Sequence, residues 1–193
     1  MRPTSDRPPL ILASASPRRA ELLVAAGIPF TTRPVDVDEQ PRDGESPREY
    51  VLRVATEKAR ACPGSPDAVV LAADTAVIAA AQTLGKPVDA ADAARMLRLL
   101  SGRVHLVLTG VVLRRGELEV AAVESTAVTF APLTDEDIAW YVGTGESSDK
   151  AGAYAVQGLA SRFVDRIDGS YTNVVGLPVA TVCRLLAVLE AGQ

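Results

Sequence analysis

Histidine occurs once in these 193 residues, cysteine twice, and aromatic side chains make up only 4%. A single histidine excludes zinc centres built on several imidazoles. Any metal held by this chain must therefore rest on carboxylates and be a hard ion such as Mg²⁺ or Mn²⁺. Cys62 and Cys183 stand far apart and match no metal or redox spacing, so both read as buried free thiols of a reducing cytoplasm. A basic excess is also missing. The 20 Lys and Arg against 24 Asp and Glu leave a net charge of −4, which excludes a surface that wraps nucleic acid through counterion release. Asp74 breaks the longest apolar stretches, so none can span a bilayer, and MRPTSDRPP lacks the apolar core of a signal peptide. A cytoplasmic protein without membrane or nucleic-acid partners is expected. The phosphate-loop pattern GxxxxGK[ST] is absent too.

What remains is an aliphatic chain, 48% hydrophobic and dominated by Ala, Val and Leu, with ample core for one domain over residues 1–193, residues 1–9 being flexible. Leu10 to Ala13 is an apolar run of strand length. Ser16-Pro17 then starts a helix, with the serine as side-chain N-cap and the proline at the first helical position, ending near Gly27. A strand follows around Phe30 to Arg33, then the acidic loop PVDVDEQPRDGE. Ser46-Pro47-Arg48-Glu49 is a capping box opening a helix to Ala61, stopped by Pro63, Gly64 and Pro66. AVVLAAD and TAVIAA read as two strands, Asp89 caps a helix carrying Met96, Leu97 and Leu100, and residues 105–130 form two long strands around an RRGE turn. A helix from Thr134, a strand over RFVDRI and a helix over Pro178 to Leu189 complete a mixed α/β order.

The chemistry collects at strand ends. The first loop offers a helix N-terminus, Ser14 and Ser16, with Arg18 and Arg19 as two permanent cations suited to phosphate oxygens. Cations in a first turn oppose the helix dipole, and an anion bound there would neutralise them. Asp74 lies between two apolar runs, a placement that predicts the carboxyl edge of a buried central strand, where open α/β sheets hold ligands. An aspartate so placed must be paired, hydrogen-bonded or on a metal. Asp36, Asp38 and Glu39 supply a second set of carboxylate oxygens, which read either as solvated loop charges or, taken together with Asp74, as an oxygen-ligand set for a divalent cation. Lys58 falls late on the Ser46 helix, Lys86 lies in the rigid LGKP turn, and His105 reads as a structural hydrogen-bonding residue.

SASPRR at 14–19, the DE pair at 38–39, EKA at 57–59, AADT at 72–75, LGKP at 84–87, SGRVHLVLTGV at 101–111, DKAGAYAVQG at 149–158 and GSYTNVVGLP at 169–178 follow one another over nearly the whole chain. In this order they resemble the Maf family of nucleoside triphosphate pyrophosphatases, once described as septum-formation inhibitors. The resemblance implies an elongated, two-lobed, mixed-sheet α/β fold of the Maf and Ham1 (ITPase-like) kind around a central cleft. It also implies cleavage of a nucleoside triphosphate to monophosphate and pyrophosphate with a divalent metal, Mg²⁺, Mn²⁺ or Co²⁺. Carried over by position, the general base falls on Asp74, phosphate contacts on Ser14, Ser16, Arg18, Arg19, Lys58 and Lys86, and metal ligation on Glu39 and Asp74, with Asp38 as the alternative to Glu39. Asp149, Lys150 and Asn173 would shape the cleft wall, and Ala76 stands where the family often has a bulkier β-branched residue.

Arg18, Thr75 and Gln157 resemble the branch acting on dTTP and UTP, whereas a tryptophan replaces the first arginine in the branch preferring 7-methyl-GTP. A glutamine amide matches the carbonyl and N–H edge shared by thymine and uracil. A house-cleaning role on modified pyrimidine nucleotides, with a link to cell-division arrest, follows from the same resemblance. Two other readings stand beside it: a non-catalytic nucleotide-binding regulator of septum formation, and a phosphatase releasing the γ-phosphate. The two long strands offer an edge for a homodimer.

Overall fold

The computed structural model describes residues 8–65 and 67–191; the flexibility expected of the N-terminus, as far as it concerns residues 1–7, and the helix-stopping role of Pro66 lie outside the described residues. The elements are β1 Leu10–Leu12, α1 Pro17–Ala25, β2 Thr31–Thr32, α2 Pro47–Ala61, β3 Val69–Ala79, β4 Gln82–Leu84, α3 Ala90–Leu100, β5 Val104–Arg115, β6 Leu118–Phe130, α4 Asp135–Gly143, β7 Val164–Asp168, α5 Tyr171–Val175 and α6 Val179–Ala191. Short 3₁₀ turns cover Glu146–Asp149, Ala151–Ala153 and Leu159–Phe163. Among the described residues the strands form one seven-stranded sheet in the order β2-β1-β3-β5-β6-β7, with β4 on β3. β1 runs parallel to β2 and β3, while β4 on β3 and β7 on β6 are antiparallel, so the sheet is mixed, as the element order predicts. The chain divides into two compact units, one of residues up to Asp74 with Thr109–Glu124 and Gly176 onward, the other of Thr75–Leu108 and Ser125–Val175.

In the first unit the two-residue period of the strands sorts the side chains onto two faces. Leu10, Leu12, Val69, Leu71 and Ala73 pack with Leu23 of α1 and Val182 and Leu189 of α6. Ile11, Ala13, Val70, Ala72 and Val112 pack on the opposite face with Ala55 and Ala59 of α2 and with Cys62, which caps its C-terminus. Helices on both faces explain why β1 and β3 read as unbroken apolar runs rather than alternating ones. Leu71 is fully buried, and truncating it to Ala would cost roughly 2–5 kcal/mol. Gly110 shares the α2 face with Val112, two residues along β5. A Cβ built on it would lie 2.3 Å from the Val51 carbonyl oxygen, so glycine here lets the helix backbone settle directly on the sheet.

The second unit centres on α3, which buries Ala93, Met96, Leu97 and Leu100, and on an aromatic cluster. Phe130 meets Tyr154 edge-on at 4.9 Å between ring centroids, and Tyr141 meets Phe163 at 5.5 Å. His105 is buried with its Nε2 2.8 Å from the Tyr154 hydroxyl, the structural role its sequence position suggests.

Three expectations need correction. Residues 68–80 do not make two strands: β3 runs unbroken through Asp74, which sits in mid-strand rather than at a strand's carboxyl edge. Nothing in DTAVIA interrupts the ladder, and the charge is paired, so the strand has no reason to end there. The hairpin to β4 was invisible in sequence because Ala80 and Ala81 take the positive φ values, 47° and 60°, that Asn or Gly ordinarily signal. Cys183 is exposed rather than buried, because α6 turns Val182 and Leu189 inward and leaves the neighbouring position outside; Cys62 is buried, which pushes its thiol pKa up.

Candidate active site

Asp74 continues the parity of Ala68, Val70 and Ala72, so it projects from β3 toward α2. On that helix Lys58 follows Ala55 in the α2 interface and lies in the last turn, where the helix dipole favours a cation. Lys58 Nζ donates to Asp74 Oδ1 at 2.8 Å and meets Glu39 Oε1 at 2.6 Å. The lysine and aspartate side chains are 10% and 9% exposed, that of Glu39 51%. Burial raises the Asp74 pKa above the usual carboxylate value, and the Lys58 ammonium and the Arg19 guanidinium pull it part of the way back.

Arg19 holds the other side of this carboxylate's strand. It is buried, and its Nε donates to the Gly176 carbonyl at 2.8 Å, its Nη1 to the Ala73 carbonyl at 2.7 Å and to Ser14 Oγ at 3.1 Å. Burial lowers its pKa, yet a guanidinium stays charged at neutral pH. The side chain thus ties the β1–α1 loop and the start of the Gly176 segment to the residue preceding Asp74. Ser14 Oγ also accepts the Ser16 N–H at 3.2 Å. Ser16 does not act as a side-chain N-cap: its hydroxyl makes no capping bond, and the hydroxyl of Ser14, two residues earlier, closes the turn locally instead. Arg18 is half-buried on the first turn of α1.

The acidic loop before α2 delivers Glu39. Arg53 of α2 donates to both oxygens of Glu45 at 2.6 and 2.9 Å, to Glu57 at 3.2 Å and to the Gln40 carbonyl at 3.0 Å. Tyr50 OH donates to the Glu39 carbonyl at 3.0 Å, while Asp38 turns its carboxylate back onto the Gln40 N–H at 2.9 Å. Of the DE pair, then, the glutamate reaches Lys58 and the aspartate shapes the turn.

No group of three or more His, Cys, Asp or Glu side chains poised for a metal occurs among the described residues. Glu39 and Asp74 nonetheless already share one cation, the Lys58 ammonium. Mg²⁺ is commonly held by one or two carboxylates, with substrate phosphates and water completing its shell, so two hard oxygens on either side of a cation fit such an ion.

Ser14 and Arg19 are thus joined by a hydrogen bond, and Glu39, Lys58 and Asp74 by ion pairs, all within the first unit. Thr75, Lys86 and Gln157 belong to the second unit. Thr75 is half-buried, whereas Lys86 and Gln157 are exposed. Gly85, just before Lys86, accepts the Gly152 N–H at 3.0 Å, which joins the LGKP turn to the DKAGAYAVQG segment.

Residues 9–189 match the family model described as Maf-like protein. The chain belongs to the Maf family. Among Maf relatives it is 58% identical over 183 residues to the dTTP/UTP pyrophosphatase of Anaeromyxobacter dehalogenans, covering 93% of each chain. It is 52% identical over 178 residues to the protein of the same name from Koribacter versatilis, covering 92% of each. The fold is similar to that of a HAM1 protein from Coxiella burnetii, with a TM-score of 0.51 at 16% identity over 94% of this chain and 98% of the other. Maf-like fold and mixed sheet are therefore as the sequence blocks imply.

Several contacts that build this Maf site leave no trace in the local sequence. Arg53 stands four residues before Glu57 on α2, a spacing that says nothing about the loop it holds. Gly110 and the clamp made by Arg19 depend on contacts between segments distant in sequence.

Proposed function

We propose that this Maf protein hydrolyses pyrimidine nucleoside triphosphates, dTTP and UTP or modified forms of them, to the nucleoside monophosphate and pyrophosphate. The supporting observation is a mid-strand carboxylate, Asp74, buried 2.8 Å from Lys58 Nζ, in a chain 58% identical to a protein named dTTP/UTP pyrophosphatase. A carboxylate whose pKa burial has raised takes a proton from water more readily near neutral pH than an exposed one. In this reading Asp74 accepts the proton of the water that attacks the α-phosphorus; the bond from that phosphorus to the oxygen bridging to the β-phosphorus breaks, and pyrophosphate leaves. A divalent ion, Mg²⁺, Mn²⁺ or Co²⁺, would be held by Glu39 and Asp74 and, when bound, would neutralise charge on the phosphates.

The remaining roles follow from residue chemistry. Arg18, Ser14 and Ser16 on the first loop, and Lys58 and Lys86, meet phosphate oxygens, and preorganised cations of this kind stabilise the charge that builds as the bridging bond breaks. Arg19, with its bonds to three protein oxygens, fixes that loop and adds a buried positive charge. Thr75 and Gln157 face the nucleoside, the glutamine amide matching the imide edge of thymine or uracil. We place the reaction in the cytoplasm, where nucleoside triphosphates are found.

The test is a pyrophosphate-release screen of normal and modified triphosphates with Mg²⁺, Mn²⁺ and Co²⁺. Fastest release from dTTP, UTP or a modified pyrimidine triphosphate is expected. Release of orthophosphate, or a panel won by 7-methyl-GTP or ITP, overturns the reading.

A further inference from the structure

Gln157 is the exposed residue of an otherwise buried stretch: Gly152 through Val156 are all buried. It occupies the third position of the turn Ala155–Gly158, closed by the Gly158 N–H on the Ala155 carbonyl at 3.0 Å. Both flanks of that turn lead to one carboxylate. Leu159 N–H donates to Glu146 Oε2 at 3.0 Å and Ala160 N–H to Glu146 Oε1 at 3.4 Å. On the other flank, Ala155 N–H donates to Tyr141 OH at 3.2 Å, and that hydroxyl in turn donates to Glu146 Oε1 at 2.8 Å. The carboxylate sits so close beneath the turn that a Cβ on Gly158 would fall 2.2 Å from Glu146 Oε2. Tyr154, bonded through its hydroxyl to His105, anchors the preceding residues.

We propose that Glu146 is a positioning residue for base selection: acting with Tyr141, it fixes the Ala155–Gly158 turn and so sets the pose in which the Gln157 amide meets the pyrimidine edge. This rests on the reading of Gln157 as the group that contacts the base. The physical case is one of matched donors. An ionised carboxylate is purely an acceptor, and here it receives two backbone N–H groups and a phenolic O–H. A glutamine in its place would turn an NH₂ group toward one of those N–H donors. A side-chain amide discriminates bases only if its plane is held, because a carbonyl-for-amine exchange on the base is sensed through the direction of its donor and acceptor.

The experiment measures kcat/KM for dTTP and dCTP, which differ at the base edge, in the intact protein and in Q157A, E146Q, Y141F and E146Q/Q157A. Using the ratio of the two substrates cancels a general loss of folded protein. Q157A is expected to lower the dTTP/dCTP ratio roughly tenfold or more, and E146Q and Y141F to lower it several-fold. E146Q is expected to have no further effect on the ratio once Gln157 is gone, the non-additivity expected of residues acting as a unit. If Q157A lowers the ratio while E146Q and Y141F leave it unchanged, or if E146Q lowers it further in the Q157A background, the positioning role is wrong and the base reading survives. If Q157A itself leaves the ratio unchanged, the base reading fails and the positioning role with it. Y141F, which removes one hydroxyl from the buried network, keeps the test open should E146Q not fold.

Discussion

Lys58 Nζ lies 2.8 Å from Asp74 and 2.6 Å from Glu39, so a single ammonium joins a buried strand carboxylate to an exposed loop carboxylate. Removing it in Lys58→Met leaves Asp74 buried without its partner. Breaking a buried pair in this way costs up to about 3–5 kcal/mol. The expected outcome is a lower guanidinium midpoint together with a fall in pyrophosphate release of about a hundredfold or more. A variant that keeps both stability and rate would show that the ammonium has no part in either.

Arg53 holds Glu45, Glu57 and the Gln40 carbonyl at once, and its planar fork is what allows this. In Arg53→Ala, amide exchange over residues 36–45 should quicken and the Mg²⁺ concentration needed for half-maximal rate should rise several-fold. Arg53→Lys should restore little of either, since an ammonium cannot bind bidentately. Unchanged exchange in that loop would show that it does not depend on the arginine.

At Gly110 a methyl group would meet the backbone of α2, with the Val51 carbonyl oxygen 2.3 Å away. Backbone cannot rotate aside as a side chain can. Gly110→Ala should therefore destabilise the protein by about 1–3 kcal/mol or more in urea titration, and should slow turnover by lifting the helix that carries Lys58. Stability equal to that of the unaltered protein would contradict the close approach.

His105 gives a pH signature. Burial pushes its pKa down from 6.5 to about 4, and its Nδ1 has no partner among the described residues. Between these values the unfolded chain takes up a proton that the folded protein refuses. Stability is therefore complete above about pH 6.5 and lost as pH falls toward 4, by at most about 3 kcal/mol. Urea midpoints at pH 8 and pH 5 should differ more in the unaltered protein than in His105→Gln, which keeps a bond to Tyr154 while removing the titration. Equal differences would show that another group governs the acid limb.

How far the sequence reaches depends on whether a feature is local. The Ser46–Glu49 and Thr134–Asp137 capping boxes and the Asp89 cap lie within one helical turn, and all three helices begin where those residues stand. The unbroken apolar run AVVLAAD likewise suffices to place Asp74 in a buried strand, because its residues are buried on both faces. Where the strand ends is a different matter, since that depends on the pairing of the aspartate with Lys58 across 16 positions. The hairpin at Ala80 and Ala81 went unread because alanine carries no turn signal. Arg19 suggested a phosphate fork from its local setting; its bonds to Ala73 and Gly176, 54 and 157 positions away, have no local trace.

The most direct test of the central claim is the rate of pyrophosphate release from dTTP by Asp74→Asn, a substitution that keeps the shape of the side chain and removes its ability to take a proton. Expected is a fall of roughly two to four orders of magnitude in kcat, with the unfolding midpoint and nucleotide binding largely retained. A folded Asp74→Asn variant turning over within about tenfold of the unaltered protein would contradict the assignment of Asp74 as the base.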